Sequence, residues 1–171
     1  RWLGMDWDEG PEVGGGYGPY FQSQRLDLYQ EAAQRLISKG DAYRCYCSPR
    51  RLEEMRTEQA RRKQPPGYDR HCRDLSQEER NKKESEGITP VVRFKAPREG
   101  QTGFDDAIWG GMVFENNPID DFVLLKSDGY PTYHLANIVD DHLMEITHVL
   151  RAEEWLSSTP RHMLMYRALG F

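Results

Sequence analysis

Nothing in this sequence marks a membrane-spanning or secreted protein. No apolar stretch is long enough to cross a bilayer and no signal-like leader opens it, so the expectation is a cytoplasmic protein with no membrane partner. Cysteine is scarce and odd in number, three in 171 residues, which argues against a secreted disulfide framework and leaves metal ligation or plain reduced thiols. Excess positive charge is missing too. At a formal net charge of -5 and a pI of about 5.6, a nucleic-acid partner would have to be held by a local basic patch. Internal repeats and low-complexity tracts are absent. What remains is an ordinary soluble composition, 37% hydrophobic and 30% charged, with a mean hydropathy of -0.83. The length fits one domain, or one domain carrying an insertion.

Both ends read as cut, since "RWLGMDWDEG" opens without Met or polar lead-in and "MLMYRALGF" stops just past a helix. The expectation is an internal piece of a longer chain. "PEVGGGYGPY" is too rich in breakers for helix or strand. Leu26, Tyr29, Ala33, Leu36 and Ile37 then recur at helical spacing, predicting an amphipathic helix from Gln22 to Ser38 that stops at Lys39-Gly40. "AYRCYCSP" reads as a short strand. Ser48 as N-cap and Pro49 at the first helical position predict a helix to about Lys63. Ser76 with Glu79 three residues on makes a capping box for a polar helix ending at Gly87. From Pro90 the pattern turns to strands: "VVRFKAP", "GMVFEN" and "DFVLLK".

The stretch "YPTYHLANIVDDHLMEITHVLRAEEWLSSTP" carries more polar chemistry than a buried sheet edge needs. Tyr133 and Asn137 fall one turn apart on a predicted helix. "ITHVL" reads as a strand inside a parallel sheet, with Arg151 directly after it and Glu153, Glu154 and Trp155 opening the next helix. In open α/β sheets ligands bind beyond the carboxyl ends of strands, and a guanidinium placed there suits a carboxylate or phosphate. Taken singly, Tyr133 reads equally as a half-buried aromatic and Arg151 as a surface ion pair.

Together with "WLGMDWDEGP", "YGPYFQSQRLDLYQEAAQRL" and "AYRCYCSP", that stretch resembles bacterial-type glutamyl-tRNA synthetase, a class I aminoacyl-tRNA synthetase, over nearly the whole chain. The resemblance implies an α/β fold: part of a Rossmann-type catalytic domain (1–41 and 122–171) interrupted by an inserted α+β domain (42–121) that grips the tRNA acceptor end. It implies ATP-dependent activation of glutamate to glutamyl-adenylate, with Mg accompanying ATP, and transfer to the 3' end of tRNA(Glu) by a monomeric cytoplasmic ligase. By the same resemblance Tyr133, His134, Leu135, Ala136, Asn137, Arg151 and Trp155 line the glutamate site, Arg151 facing the side-chain carboxylate, and Glu154 contacts ATP. Two ATP-phosphate signatures of class I enzymes, the His-Ile-Gly-His and Lys-Met-Ser-Lys-Ser types, do not occur in this sequence, so the chain alone is expected to be inactive, with no catalytic residue of its own. Glu145 stands where the family usually has Gly. The runner-up readings are the paralogue that glutamylates a queuosine base on tRNA, and a non-enzymatic zinc-stapled RNA-binding module.

Cys45, Cys47 and Cys72 flank a basic helix, and three thiols returning to one place suit a structural Zn²⁺, which needs a fourth ligand. The resemblance puts Asp74 at that position, with Tyr68 and His71 as competing donors. Asp140, Asp141 and His142 lack ligand spacing for a second metal. Arg50, Arg51, Arg56, Arg61, Arg62 and Lys63 make the helix after Ser48 strongly basic, with Arg70 and Arg73 close behind. Such a run is usually a solvated face, but in an acidic protein it is a candidate tRNA-backbone contact.

Overall fold

The computed structural model describes residues 2–171. Helix α1 (Leu26–Lys39) buries Tyr29, Ala32, Ala33 and Leu36 along one stripe and ends on Gly40, whose φ of 82° makes the left-handed cap that glycine adopts freely. It starts later than its periodicity suggests. A 3-10 turn, Gln22–Gln24, precedes it, and Arg25 leaves helical geometry at φ -120°. The Arg25 side chain turns inward, 3% exposed, to reach Asp140 at 2.8 Å.

Strand β1 (Ala42–Cys45) follows, then α2 (Pro49–Arg61), capped by Ser48 Oγ accepting from the Arg51 N–H. Helix α3 (Gln77–Ser85) carries both halves of the Ser76/Glu79 capping box. Next come β2 (Val91–Phe94), β3 (Gln101–Asp106), β4 (Gly110–Glu115) and β5 (Val123–Leu125), then α4 (Tyr133–Leu143), a 3-10 turn Glu153–Ser158, and α5 (Thr159–Leu169).

Three strands form an antiparallel sheet in the order β1-β2-β5, while β3 and β4 pair as a separate hairpin. The hairpin is tied to α5 by Arg167 Nη2 donating to the Gly103 carbonyl at 3.2 Å. In the β1/β2 register Ala42 faces Phe94, Tyr43 faces Arg93 and Cys45 faces Val91. Because side chains alternate along a strand, the sheet is a partition. Ala42, Val92 and Phe94 face one way, into a core with Tyr29, Leu36, Leu124, Leu135, Ile138 and Met165 from the helices and β5. Tyr43 and Cys45 face the other way, into a smaller cluster with Tyr68 and Cys72.

Two expectations are corrected. The run "ITHVL" is not a strand: residues 146–150 are irregular and Leu150 is 97% exposed. Among the described residues every strand pairing is antiparallel and none includes this segment, so its backbone joins no ladder. Strand β3 was not foreseen, because Gly103 and the paired Asp105 and Asp106 disguise it. Glu145 lies at φ 54°, left-handed geometry that explains why Gly suits the position. The Tyr17 hydroxyl donates to its carboxylate at 2.6 Å.

Candidate functional site

Two constellations stand out. The first lies behind the sheet. The thiols of Cys45, Cys47 and Cys72 all lie within 4.8 Å of one another, and the Cys47 and Cys72 sulfurs are 3.6 Å apart. Zn–S bonds of about 2.3 Å in a tetrahedron place sulfurs roughly 3.8 Å apart, so the spacing fits. Asp74 is not part of the cluster: its carboxylate faces Lys95 at 3.6 Å and Arg98 at 3.4 Å. His71 is exposed, and its backbone N–H donates to Asp69 Oδ1. Of the three candidates for a fourth ligand, the one beside the thiols is Tyr68, whose hydroxyl is 3.2 Å from Cys45 Sγ and 3.4 Å from Cys47 Sγ.

Electrostatics favour a single thiolate in the cluster: hydrogen bonding to Cys45 pushes the Cys47 thiol up, and burial pushes the Tyr68 phenol up. Hydrogen bonds from Cys47 and Cys72 draw the Cys45 thiol well below the ordinary thiol range. Cations stand close by, with Arg51 Nη1 3.4 Å from Cys47 Sγ and the Arg93 guanidinium 3.8 Å over the Tyr68 ring. A metal held here would supply no reaction chemistry; it would staple the 45–72 segment.

The loop carrying Cys72 is fastened from outside by one carboxylate. Asp121 is fully buried. It accepts from Arg73 Nη1 at 2.7 Å, Arg70 Nε at 3.3 Å, Tyr43 Oη at 2.7 Å and the Ala96 N–H at 3.2 Å. Arg70 and Arg73 are therefore committed to this carboxylate. Much of the basic helix is also internally paired: Arg50 with Glu54, Arg51 with Asp69, and Arg61 and Arg62 with Glu58. Arg61 and Arg62 hold the Glu58 carboxyl down to about 2. Arg56 and Lys63 have no side-chain partner among the described residues.

The second constellation joins α4 to α5. Tyr133 stands half exposed at the start of α4, its ring 5.1 Å from Trp155 and 6.1 Å from His162. His134 Nδ1 lies 3.0 Å from His162 Nε2. Burial, then the neighbouring His134, pushes His162 down to about 4, and burial also lowers His134, so the pair is neutral at pH 7. Arg151 donates from Nη2 to Thr159 Oγ1 on α5. Burial raises the nearby Asp141 carboxyl and pushes Tyr166 to about 12. Leu135 and Ala136 turn into the core instead, while Asn137 is half-buried one turn beyond Tyr133 and Glu154 is exposed. Sequence reasoning missed His162, Thr159 and Asp141 as neighbours of Arg151; their i, i+3 spacing at the head of α5 was the available signal for the first two.

The family described as tRNA synthetases class I (E and Q), catalytic domain, matches residues 1–171, and the chain belongs to it. Among curated relatives, the glutamate--tRNA ligase of Dehalococcoides mccartyi is 61% identical over 171 residues, covering 100% of this chain and 34% of that protein. The glutamate--tRNA ligase of Fusobacterium nucleatum is 58% identical with the same coverage. Two solved structures are similar at a TM-score of 0.93 and 41% identity: the glutamate-tRNA synthetase of Elizabethkingia anophelis, and a glutamate tRNA ligase of Elizabethkingia meningosepticum in complex with its amino acid. Each covers 99% of this chain. The chain spans about a third of the length of the relatives it matches. They favour neither the queuosine-modifying paralogue nor the zinc-stapled binding module.

Proposed function

We propose that this chain is the part of a glutamate--tRNA ligase that lines the glutamate side chain and holds the tRNA acceptor end, in an enzyme that joins glutamate to ATP and passes it to tRNA(Glu). The observation that carries the reading is Arg151, hydrogen-bonded to Thr159 at the start of α5, the helix whose His162 ring lies 6.1 Å from Tyr133. A fixed guanidinium fork next to an aromatic surface suits a short aliphatic chain ending in a carboxylate. Asn137 supplies an amide one turn away, and the exposed Glu154 is the ATP contact in this reading. The work of such a site is positioning and electrostatic stabilisation, with no covalent step by these residues.

Cys45, Cys47, Cys72 and Tyr68 hold a structural Zn²⁺ in this reading, with Tyr68 taking the place first given to Asp74. Arg56 and Lys63 lead the contact with acceptor-strand phosphates, and the cations paired with glutamates join it only by exchanging partners. The domain limits at residues 41 and 121 belong to the same reading, as do a monomeric parent and the cytoplasm.

In the full-length parent enzyme, Arg151→Gln removes a charge-assisted hydrogen bond worth roughly 1.5–3 kcal/mol. Glutamate-dependent exchange of pyrophosphate into ATP, measured with tRNA present, falls about 10- to 150-fold, while ATP affinity is nearly unchanged. Wild-type efficiency in that variant would reduce Arg151 to a structural residue. The 171-residue chain alone gives no exchange.

A further inference from the structure

Beside the thiol cluster, on the side of α2, lies a cavity of about 200 Å³, many times the ~30 Å³ that one water occupies in the liquid. Leu52 and Met55 of α2 form one wall, and the loop at Pro66 and Gly67 forms another. That loop is fixed: the Gln59 side-chain amide donates to the Gly67 carbonyl at 2.8 Å and accepts the Gly67 N–H at 3.4 Å. The cavity is therefore built into the fold.

Its polar groups are only partly spent. Arg93 is 6% exposed. One end of its guanidinium donates to the Asp121 carbonyl at 2.7 Å, yet its Nε is buried with no acceptor, a rare condition for a buried donor. Asp120 accepts the Tyr68 N–H through Oδ2 at 3.2 Å, and its other oxygen takes no hydrogen bond among the described residues. Arg56 is exposed at the mouth.

Ligand classes can be weighed against this set. A phosphate would meet the Asp120 carboxylate, and a divalent cation would meet two guanidinium groups. A purely aliphatic group would leave the Arg93 Nε–H unanswered. A flat heteroaromatic ring suits the set, with Leu52, Met55 and Pro66 for its faces and both donors and acceptors for its edge. Guanine complements the set best. Its O6 and N7 accept from arginine, the commonest specific arginine contact to a base, and its N1–H and N2–H groups point to a carboxylate. We propose that this cavity takes an unstacked guanine base of the RNA strand lying along α2, an inference that rests on the RNA-binding reading of that helix.

The test uses the 171-residue chain and the Met55 methyl resonance, titrated with GMP, AMP and UMP. GMP shifts Met55 with an affinity at least about tenfold above AMP or UMP, a difference of one good charge-assisted hydrogen bond. Asp120→Asn and the exposed Arg56→Ala each weaken GMP about tenfold, with folding checked by the unchanged backbone spectrum elsewhere. A silent Met55, equal shifts from all three nucleotides, or undiminished GMP binding in both variants overturns the pocket. A second arm measures binding of an acceptor-stem RNA hairpin to the wild-type chain. If the hairpin binds and the GMP arm fails, the pocket is wrong and the RNA reading stands. If the hairpin does not bind, the RNA reading of α2 falls and takes with it the claim that the base comes from RNA.

Discussion

The two faces of the β1/β2 sheet are built from different materials. One face, Ala42, Val92 and Phe94, is covered by helices mainly through apolar side chains. The other, Tyr43, Cys45 and Arg93, is covered by thiols, a phenol and a buried carboxylate with its arginines. Burial of apolar area is non-directional and scales with surface, so the first face tolerates adjustment. The second depends on a few polar contacts that lose their value together when one partner leaves a buried charge unpaired. The difference teaches where the chain is breakable without being globally weak.

Metal removal should break the comparison most sharply. Structural zinc contributes on the order of 10 kcal/mol to the folding of small metal-stapled segments. A chelator should therefore expose residues 45–74 to amide hydrogen exchange while α1, α4 and α5 keep their protection. Metal analysis of protein purified without chelator comes first: less than about a tenth of a zinc per chain would remove the metal from the account.

Asp121 holds the polar face together, so its loss falls there. Asp121→Ala strands Arg73 and Arg70 and leaves Tyr43 without its acceptor, and should cost about 3–5 kcal/mol in urea unfolding. A loss under about 1 kcal/mol would mean that the carboxylate is incidental.

The histidine pair sharpens the contrast on the apolar side. His162 titrates near 6.5 when unfolded and is held to about 4 when folded. Its contribution is thus fully present above pH 6.5, and declines as pH falls from there towards 4, where the unfolded chain binds the extra proton. The total is about 3 kcal/mol at most. Thermal unfolding between pH 7.5 and 4.5 should steepen accordingly, and His162→Gln should flatten the curve. An unchanged slope would contradict the burial argument.

The smallest effect concerns Glu145. Glycine there relieves left-handed strain of about 1 kcal/mol, while the Tyr17 hydroxyl loses a hydrogen bond worth a similar amount or less. Glu145→Gly should change stability by less than about 1 kcal/mol, and Tyr17→Phe should matter only while Glu145 is present. Destabilisation beyond that range would show the Tyr17 contact to be the stronger term.

Features with local causes were legible in the sequence. The Ser48 cap, the Ser76/Glu79 box and the Gly40 stop are set by side chains within a few residues of the backbone they satisfy, and all three are present. Features with distant causes were not. The apolar run at 146–150 has a strand's composition and no partner edge. Arg70 and Arg73 looked like part of a basic patch because their acceptor, Asp121, lies some 50 residues on. In the candidate site, the nearness of Cys45, Cys47 and Cys72 followed from spacing and a strand, and the structure brings them together. Which residue stands fourth beside them depends on a loop conformation, with Arg70 at φ 60°, that no spacing rule encodes.

The Asp121 clamp has a consequence in time. Ribosomes add roughly 5–20 residues per second, and 48 positions separate Arg73 from the carboxylate that fixes it. For roughly 2–10 s after the last thiol is made, the loop that bears it therefore has no anchor. During that interval the sulfurs are reachable by whatever ion or oxidant the surroundings supply, before the loop that bears the last of them can close.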